Sequence, residues 1–287
     1  MATFEMIKYH NQAYPDDIPL CIEEIAAHFD VQKINGQLQY SLHTEYCYGK
    51  RNFDSSLISA FPEIRASQKD GVPQLWKSEL WALQFAEFIL ALMGNKKRPE
   101  VIEIHPPFND YTDMKSYIKC YSVFESKIRE YFPEVNILIE NRCGSIYRGG
   151  KFIISRIQDI IEFCDYTEKK NLSLKVAYDI PQIYTAHRAE DEMTYISLLE
   201  QMKEIRSFIG GVHLWGKKLS NTGRKVSHCG DLNTYFRDVS TKKAFLEAFT
   251  NCFDDGIVCK MVLEVNSGNK DLISIISDLQ NAGVKFV

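Results

Sequence analysis

The chain has 287 residues, which is room for one large domain or two small ones. Hydrophobic residues make up 45% and charged residues 25% of it, a composition that excludes a disordered, collagen-like or extended coiled-coil protein. The formal net charge of -4 gives no overall basic surface for nucleic acid, so only local basic patches remain to be considered.

The sequence shows neither a membrane span nor a secretion signal. Its longest apolar run, over residues 85–93, is interrupted by Glu87 and is too short to cross a bilayer. The first ten residues lack the pattern of a signal peptide. The eight cysteines are scattered without any C-x-x-C pair, which is typical of reduced thiols. We therefore expect a cytoplasmic protein with no membrane partner.

Short β-rich runs alternate with longer helical patterns along the whole chain. The predicted strands cover residues 4–9, 38–43, 101–105, 136–140, 172–179, 209–213, 260–264 and 284–287. The predicted helices cover residues 18–29, 75–93, 114–131, 152–170, 190–208, 241–253 and 271–282. This alternation predicts parallel βαβ units wound in one direction.

Eight strands in a chain of this length predict an α/β fold, a (β/α)8 TIM barrel that uses residues 1–287 as a single domain. Two long gaps between strands predict inserted loops on the active face, at about residues 44–74 and 214–231. No helix can follow the last predicted strand at Val287. The barrel is therefore expected to lack its last helix, with a shortened barrel or a partner subunit of a homo-oligomer covering that edge.

Six of the predicted strands end on a residue able to bind a metal ion. These residues are His43, His105, Glu140, Asp179, His213 and Glu264. Residues at the carboxyl ends of barrel strands meet at one mouth, where converging carboxylates repel one another unless a cation lies among them. Mixed carboxylate and imidazole ligands favour zinc, manganese or iron(II) over calcium or magnesium. We therefore predict one or two divalent metal ions, with zinc or manganese favoured.

Two loops that follow ligand-bearing strands are basic. Residues 141–158 and 214–230 each contain four lysines or arginines and no acid, which suits an anionic substrate such as nucleic acid or a phosphorylated sugar. Arg142 and Lys217 are the predicted phosphate contacts, and Trp215 is predicted to stack on a base or a sugar. The glycines near residue 149 lack phosphate-loop spacing, so no nucleotide cofactor is expected.

The motifs between Leu38 and Asn266 resemble the xylose isomerase-like TIM barrels, a superfamily that includes sugar isomerases, epimerases and AP endonuclease family 2, the endonuclease IV type. They read YSLH, VIEIHPPF, ILIENRCG, VAYDIPQ, GGVHLWGKK, SHCGDL and VLEVN. The resemblance implies that one metal is held by Glu140, Asp179, His213 and Glu264. It also implies a second metal position at His43 and His105, with Glu140 as the bridge.

The sequence departs from both branches of this superfamily. The endonucleases hold a third metal through a histidine, where Gln182 stands here, and through an Asp-x-His pair. Of that pair only the histidine, His228, is present here, because Val226 stands in place of the aspartate. A third metal is therefore not expected, and we assign Gln182 and His228 to substrate binding. The epimerases have an arginine where Leu219 stands.

Three functions remain open on these residues. The favoured one is an endonuclease IV-like phosphodiesterase that acts on nucleic acid through two metals, with Glu264 and Glu140 as catalytic residues. The second is a sugar or sugar-phosphate isomerase or epimerase, in which Glu140 and Glu264 form an acid-base pair around one metal. The third is a catalytically silent barrel that binds a partner.

Overall fold

The structure, a computed structural model, describes residues 1–45, 55–146, 150–236 and 238–287. Its strands are β1 (Thr3–Lys8), β2 (Ile22–Ala27), β3 (Gln39–Thr44), β4 (Gln68–Lys69), β5 (Val72–Pro73), β6 (Val101–Ile104), β7 (Asn136–Glu140), β8 (Lys175–Asp179), β9 (Ile209–Leu214), β10 (Lys217–Leu219), β11 (Lys225–Ser227), β12 (Cys259–Leu263) and β13 (Lys285–Phe286). Its helices are α1 (Pro62–Ala66), α2 (Glu79–Met93), α3 (Met114–Arg129), α4 (Ile157–Lys169), α5 (Ile180–Ala186), α6 (Glu192–Glu204), α7 (Leu232–Tyr235), α8 (Val239–Phe253) and α9 (Asn269–Asn281).

Eight parallel strands close into a barrel, which confirms the predicted (β/α)8 fold. They pair in the order β1, β2, β3, β6, β7, β8, β9 and β12. The barrel closes where β12 pairs with β1, with Phe4 opposite Cys259 and Ile7 opposite Val262. Closure leaves no free strand edge in the ring, so every barrel strand has a neighbour on both sides.

The prediction of a helix over residues 18–29 is wrong, because this segment contains barrel strand β2. Its glutamates and alanines have good helix propensity, and its isoleucines recur at helical spacing. The strand pairs with β3 along its whole length, from Ile22 opposite Gln39 to Ala27 opposite Thr44. These ladder hydrogen bonds and the burial of Ile22 and Ala27 outweigh the local preference of the chain.

The prediction that the barrel lacks its last helix is also wrong. The eighth barrel strand is β12, and helix α9 follows it with Leu272, Ile275 and Leu279 buried. Residues 284–287 supply only the two-residue strand β13, which pairs with Thr3 and Phe4 beside the closed ring. No partner subunit is therefore needed to cover a barrel edge.

Most of the hydrophobic core lies between the barrel and the surrounding helices. Helices α2 and α3 begin at the capping residues Ser78 and Asp113, whose side chains accept hydrogen bonds from backbone N–H groups of the first turn. The two helices pack through Phe85 and Phe124, whose ring centroids lie 5.5 Å apart. Trp76 is fully buried among these rings, as expected for packing aromatics in this region.

A second, smaller cluster fills the inside of the barrel. It consists of Ile7, Tyr9, Ile22, Val101, Leu138, Ala177 and Val262. These residues form an apolar layer across the barrel axis. On the strands β6, β7 and β8, the next inward positions toward the carboxyl end are Glu103, Glu140 and Asp179, so polar groups begin directly above this layer.

The segments after β3 and β9 carry additional short elements. The first contains α1 and the hairpin β4–β5, and the second contains the hairpin β10–β11 and helix α7. Residues 46–54, which belong to the first predicted loop, lie outside the described residues. Within the described part of the chain, no helix combines the length and apolarity needed to cross a membrane.

Candidate metal centre

The structure brings all six predicted ligands together at the carboxyl-terminal mouth of the barrel. His43, Glu140, Asp179 and His213 lie on strands, while His105 and Glu264 follow β6 and β12 directly. The strand register aligns Asp179 with His213, and His213 with Val262, so the side chains converge from neighbouring strands. Five of the six side chains are buried, and His43 is 14% exposed.

The first group of ligand atoms comes from four residues rather than the expected three. His43, Glu103, His105 and Glu140 each offer one atom, and these atoms lie within 4.8 Å of one another. The Nε2 atoms of His43 and His105 are 3.1 Å apart, and Nε2 of His105 is 2.7 Å from Oε2 of Glu140. Because imidazole nitrogens and carboxylate oxygens are first-row metal ligands, this group suits zinc or manganese.

The second group shares Glu140 with the first. Glu140, Asp179 and His213 also offer atoms within 4.8 Å of one another. Glu264 lies beside them, with Oε1 3.4 Å from Nδ1 of His213. Its other oxygen lies 3.2 Å from Nδ1 of His228. Glu140 therefore occupies the position between the two groups.

Sequence reasoning missed two carboxylates of this site, Glu103 and Glu24. Glu103 lies inside β6, two residues before His105, and its Oε2 is 3.0 Å from Nε2 of His213. Glu24 lies on β2, and its Oε1 is 3.1 Å from Nδ1 of His43. A charged residue within the apolar run VIEI was the available signal for Glu103, whereas Glu24 was hidden by the wrong helix prediction.

Protein donors also surround Glu140 and Asp179. Arg142 and Gln182 both donate to Oε1 of Glu140, at 2.7 and 2.6 Å. Gln182 and Trp215 both donate to Oδ2 of Asp179, at 2.8 and 3.0 Å. Arg142 thus turns inward to a carboxylate, although the sequence predicted it as a phosphate contact. Its charge offsets part of the negative charge that the buried carboxylates carry.

The protonation of the group is set by competition between burial and neighbouring charges. Burial lowers the pKa of His43, but the Glu24, Glu103 and Glu140 carboxylates outweigh burial and raise that pKa to about 10. Burial lowers the pKa of His105 to about 3 despite its contact with Glu140. Burial and the nearby carboxylates raise the pKa of Asp179 to about 7. At neutral pH His43 is therefore protonated and Asp179 partly so, and a cation bound here would replace these protons.

The ionisation of Glu264 differs from that of Asp179. Burial opposes the charge of Glu264, but hydrogen bonds and charge from His213 and His228 hold its pKa well below the usual range. The pKa of His213 is raised well above its ordinary value, because Glu103 and Glu264 outweigh the effect of burial. Glu264 therefore remains a carboxylate at neutral pH.

A cavity of about 510 Å³ opens above the ligands. Its lining includes His43, Gln182, Trp215, His228 and Glu264. The rings of Trp215 and His228 stack with centroids 4.2 Å apart, so Trp215 is buried rather than free to stack on a substrate. All five predicted substrate-binding residues thus lie at or beside the metal-ligand cluster, and each of them already contacts a protein group.

The basic loops are divided between the inside and the outside of this mouth. Lys217 donates to Oγ1 of Thr185 at 2.7 Å and lies 5.2 Å from the centre of the Trp215 ring. Lys218, Arg224 and Lys225 are exposed on the hairpin β10–β11. Arg148, from the other basic stretch, lies outside the described residues. Lys151 and Arg156 of that stretch are exposed, so the exposed cations of both stretches are available to a large anionic ligand.

Fold and site together define a (β/α)8 barrel with a cluster of imidazoles and carboxylates at its mouth. No protein-family model matches the sequence, and no curated protein matches it. Solved structures share the fold. The crystal structure of AsfvAP:AG has a TM-score of 0.51 and 12% identity, over 85% of this chain and 74% of that chain.

Two further structures illustrate the range of similar barrels. AP endonuclease, family 2, from Brucella melitensis has a TM-score of 0.48 and 12% identity, over 95% of this chain and 97% of that chain. The Ignisphaera aggregans GH53 catalytic domain has a TM-score of 0.39 and 10% identity, over 83% of this chain and 68% of that chain. At 12% identity the likeness to the AsfvAP:AG structure concerns the fold alone.

Proposed function

We propose that the protein is a divalent-metal-dependent phosphodiesterase that cleaves nucleic acid, in the manner of an endonuclease. The observation that carries this proposal is the position of Glu140, which belongs to two of the three groups of possible ligand atoms; the third group consists of Glu24, His43 and Glu264. A carboxylate that bridges two adjacent cations is a common feature of two-metal hydrolytic sites. An isomerase site with a single metal has no need of the group around His43 and His105.

The donor set fits two metal ions, with zinc or manganese favoured. His43, His105 and Glu140 would hold one ion, and Glu140, Asp179, His213 and Glu264 would hold the other. Oε1 of Glu103 is buried and has no hydrogen-bond partner among the described residues, as expected where a cation completes the surroundings. Bound ions of this kind lower the pKa of water and neutralise charge on a phosphoryl group.

The protein groups around the ligands supply orientation and charge. Glu264, held ionised by His213 and His228, would accept a hydrogen bond from the attacking water and orient it toward phosphorus. Interactions with Glu264 raise the pKa of His228 against the effect of burial. His228 lines the cavity, so in its protonated form it would contact a phosphate oxygen.

The exposed part of the site supplies contacts for a polyanion. Lys217 is half-buried beside Trp215 and Tyr235, whereas Lys218 and Arg224 extend into solvent on the hairpin β10–β11. These cations would contact phosphates on either side of the scissile bond. A cytoplasmic setting belongs to the same proposal, since the cysteines that the structure describes are free thiols.

The test is cleavage by the protein after removal of metal and reloading with zinc or manganese. Oligonucleotides with an abasic site, a nick and a single strand are incubated with the wild type and with Glu264→Gln. Cleavage by the wild type that the variant and a chelator both abolish supports the proposal. No cleavage of any substrate with either metal contradicts it.

A sugar isomerase or epimerase is the second candidate, and the contacts of Glu140 favour it. Arg142 and Gln182 donate to Oε1 of Glu140, the oxygen that is not in contact with His105. If these contacts persist in the metal-loaded protein, Glu140 cannot bridge two ions, and a single ion with Glu140 and Glu264 as an acid-base pair would fit the site. Incorporation of solvent deuterium into a ketose would establish this reaction.

A further inference from the structure

We propose that Glu103 is itself a metal ligand and closes the first group into a four-coordinate site with His43, His105 and Glu140. An ion in this group would then have four protein ligands and no open tetrahedral position for water. This inference rests on the metal-binding part of the proposed function. It concerns the coordination of the ions and not the identity of the substrate.

The spacing of the four ligand atoms matches a tetrahedron. With metal–ligand distances of 2.0–2.1 Å, the ligand atoms of a tetrahedral site lie about 3.3 to 3.4 Å apart. Nε2 of His43 lies 3.1 Å from Nε2 of His105, 3.7 Å from Oε1 of Glu103 and 3.7 Å from Oε2 of Glu140. The distance from His105 to Glu140 is 2.7 Å. These four distances between ligand atoms scatter around the value of about 3.3 to 3.4 Å expected for a tetrahedral site.

No assignment of protons gives Nε2 of His105 full hydrogen bonds to both Glu140 and His43, because an imidazole nitrogen carries either one hydrogen or one lone pair. If Nε2 of His105 carries a hydrogen and donates it to Glu140, it cannot accept from Nε2 of His43, 3.1 Å away. If that nitrogen carries no hydrogen, two lone pairs face each other across 2.7 Å unless Glu140 is protonated. A cation removes the conflict, because all four atoms can then donate a lone pair to it.

The surroundings of the Glu103 side chain also favour a bound cation. The residue is 2% exposed, and its Oε2 already accepts a hydrogen bond from Nε2 of His213 at 3.0 Å. Its Oε1 has no hydrogen-bond partner among the described residues and faces His43. A buried carboxylate oxygen without a donor is costly, so a cation at this position would stabilise the folded protein.

One further contact fixes His43 in the orientation that coordination needs. Oε1 of Glu24 lies 3.1 Å from Nδ1 of His43, which leaves Nε2 directed into the group. A carboxylate contact of this kind orients a metal-binding histidine and raises the affinity of the site. The indole Nε1 of Trp76 donates to the backbone oxygen of His105 at 2.7 Å, which positions the main chain of that residue.

Access to the cavity is limited in both groups. His43 and Glu264 belong to the lining of the cavity, whereas Glu103 and His105 do not. A closed set of protein ligands is typical of a structural metal, and an open position is typical of a catalytic one. With Glu103 as its fourth ligand, the first group would have the closed set.

X-ray absorption of the wild-type protein, loaded with one equivalent of zinc, tests the coordination directly. The expected result is four nitrogen or oxygen ligands, of which two are imidazoles. Five or six ligands at the tighter site would overturn the proposal. Because this measurement uses the unaltered chain, it is decisive even if a substitution at Glu103 prevents folding.

Glu103→Gln provides the second test, with Glu125→Gln as the matched control. Glu125 is also a buried glutamate, and it accepts from Arg129 and Ser173 away from the site. Glu103→Gln is expected to weaken the tighter zinc site by about 10- to 100-fold in competition with a chelator. It is also expected to reduce the strong visible absorption that four-coordinate cobalt gives there, and the control should change neither.

The alternative is that Glu103 only holds His213 in place. In that case Glu103→Gln weakens the second, weaker ion and leaves the tighter site and its cobalt spectrum unchanged, a result that would refute the proposal. These readouts are separate from nuclease activity. A protein with a four-coordinate tight ion and no cleavage contradicts the proposed function alone, and a cleaving protein whose tight ion carries water contradicts this inference alone.

Discussion

Gln182 contacts Asp179 through both its backbone and its side chain. Its backbone N–H donates to Oδ1 at 2.9 Å, and its Nε2 donates to Oδ2 at 2.8 Å. The first contact is the cap of helix α5, and the second continues to Glu140, 2.6 Å from the same nitrogen. Gln182 therefore holds together two carboxylates that would otherwise repel each other.

Gln182→Leu should destabilise the metal-free protein. The change keeps the backbone cap but leaves two buried carboxylates without their amide donor, so we expect a loss of about 1–3 kcal/mol in the free energy of unfolding. Urea unfolding in the presence of a chelator measures it. The comparison is Gln201→Leu, whose amide contacts only an exposed helix position. Equal effects of the two substitutions would contradict the assigned role.

Glu264→Gln and Glu140→Gln should each reduce the rate of the chemical step by about 10²- to 10⁴-fold, the contribution expected of a group that positions or transfers a proton. Single-turnover cleavage under saturating metal measures this rate. Glu247→Gln is the matched control, because Glu247 lies exposed on α8, away from the site, and pairs with Lys243. If Glu264→Gln cleaves at the wild-type rate, the assigned role of Glu264 is wrong.

Removal of metal should lower the stability of the protein. A ligand that binds only the folded state, at a free concentration of a hundred times its Kd, adds about 2.7 kcal/mol per site. Zinc and manganese are expected to raise the melting temperature of chelator-treated protein, whereas calcium at the same free concentration should have little effect. A response to calcium equal to that of zinc would argue against the imidazole-rich site.

The stability of the metal-free protein should decrease as pH rises from about 6.5 to 10. The pKa of His43 in the folded state, about 10, is higher than its unfolded value, so its interactions stabilise fully below about 6.5 and are lost as pH rises through 10. The raised pKa of Asp179, about 7, has the same sign. Urea unfolding across this range measures the trend, and a rising stability would contradict it.

Metal affinity should change with pH in the opposite direction. The ions displace protons from His43 and His213, so binding at pH 7 releases protons and the apparent affinity rises with pH. Calorimetry in buffers of different ionisation enthalpy counts the protons released, and we expect more than one per protein. A binding enthalpy that is independent of the buffer would exclude this coupling.

The hairpin β10–β11 should contribute to binding without contributing to chemistry. Lys218→Ala and Arg224→Ala are each expected to reduce the slope of log Kd against log salt concentration by about one, as for the loss of one phosphate contact. Lys243→Ala on α8 is the control, because Lys243 is an exposed cation on a different element. Unchanged slopes in both hairpin variants would place the nucleic acid elsewhere.

The sequence was sufficient to predict the barrel and its mouth because both depend on a repeated pattern. Strands such as β7 and β8 are apolar runs that end in a carboxylate, and parallel winding places such ends together. The segment around Glu24 was predicted as a helix because glutamate and alanine favour helices locally. It forms a strand because it pairs with β3, and local propensity does not reveal such a pairing.

The contacts within the site were less accessible to sequence analysis. Glu103 was not predicted as a ligand because it lies inside β6, whereas the predicted ligands were the last residues of their strands. The inward turn of Arg142 toward Glu140 was not predicted either, since a basic loop alone does not show which cation a buried carboxylate attracts. Both depend on side-chain distances across the barrel rather than on spacing along the chain.

The apolar layer of Ile7, Val101, Leu138 and Val262 acts as a floor beneath the ligands. Water and ions cannot pass through packed side chains of this kind, so within the described part of the chain the site meets solvent through the cavity above the ligands. A long polymer lying across the mouth would then close this route of exchange, and any ions bound when it arrives would stay until it leaves.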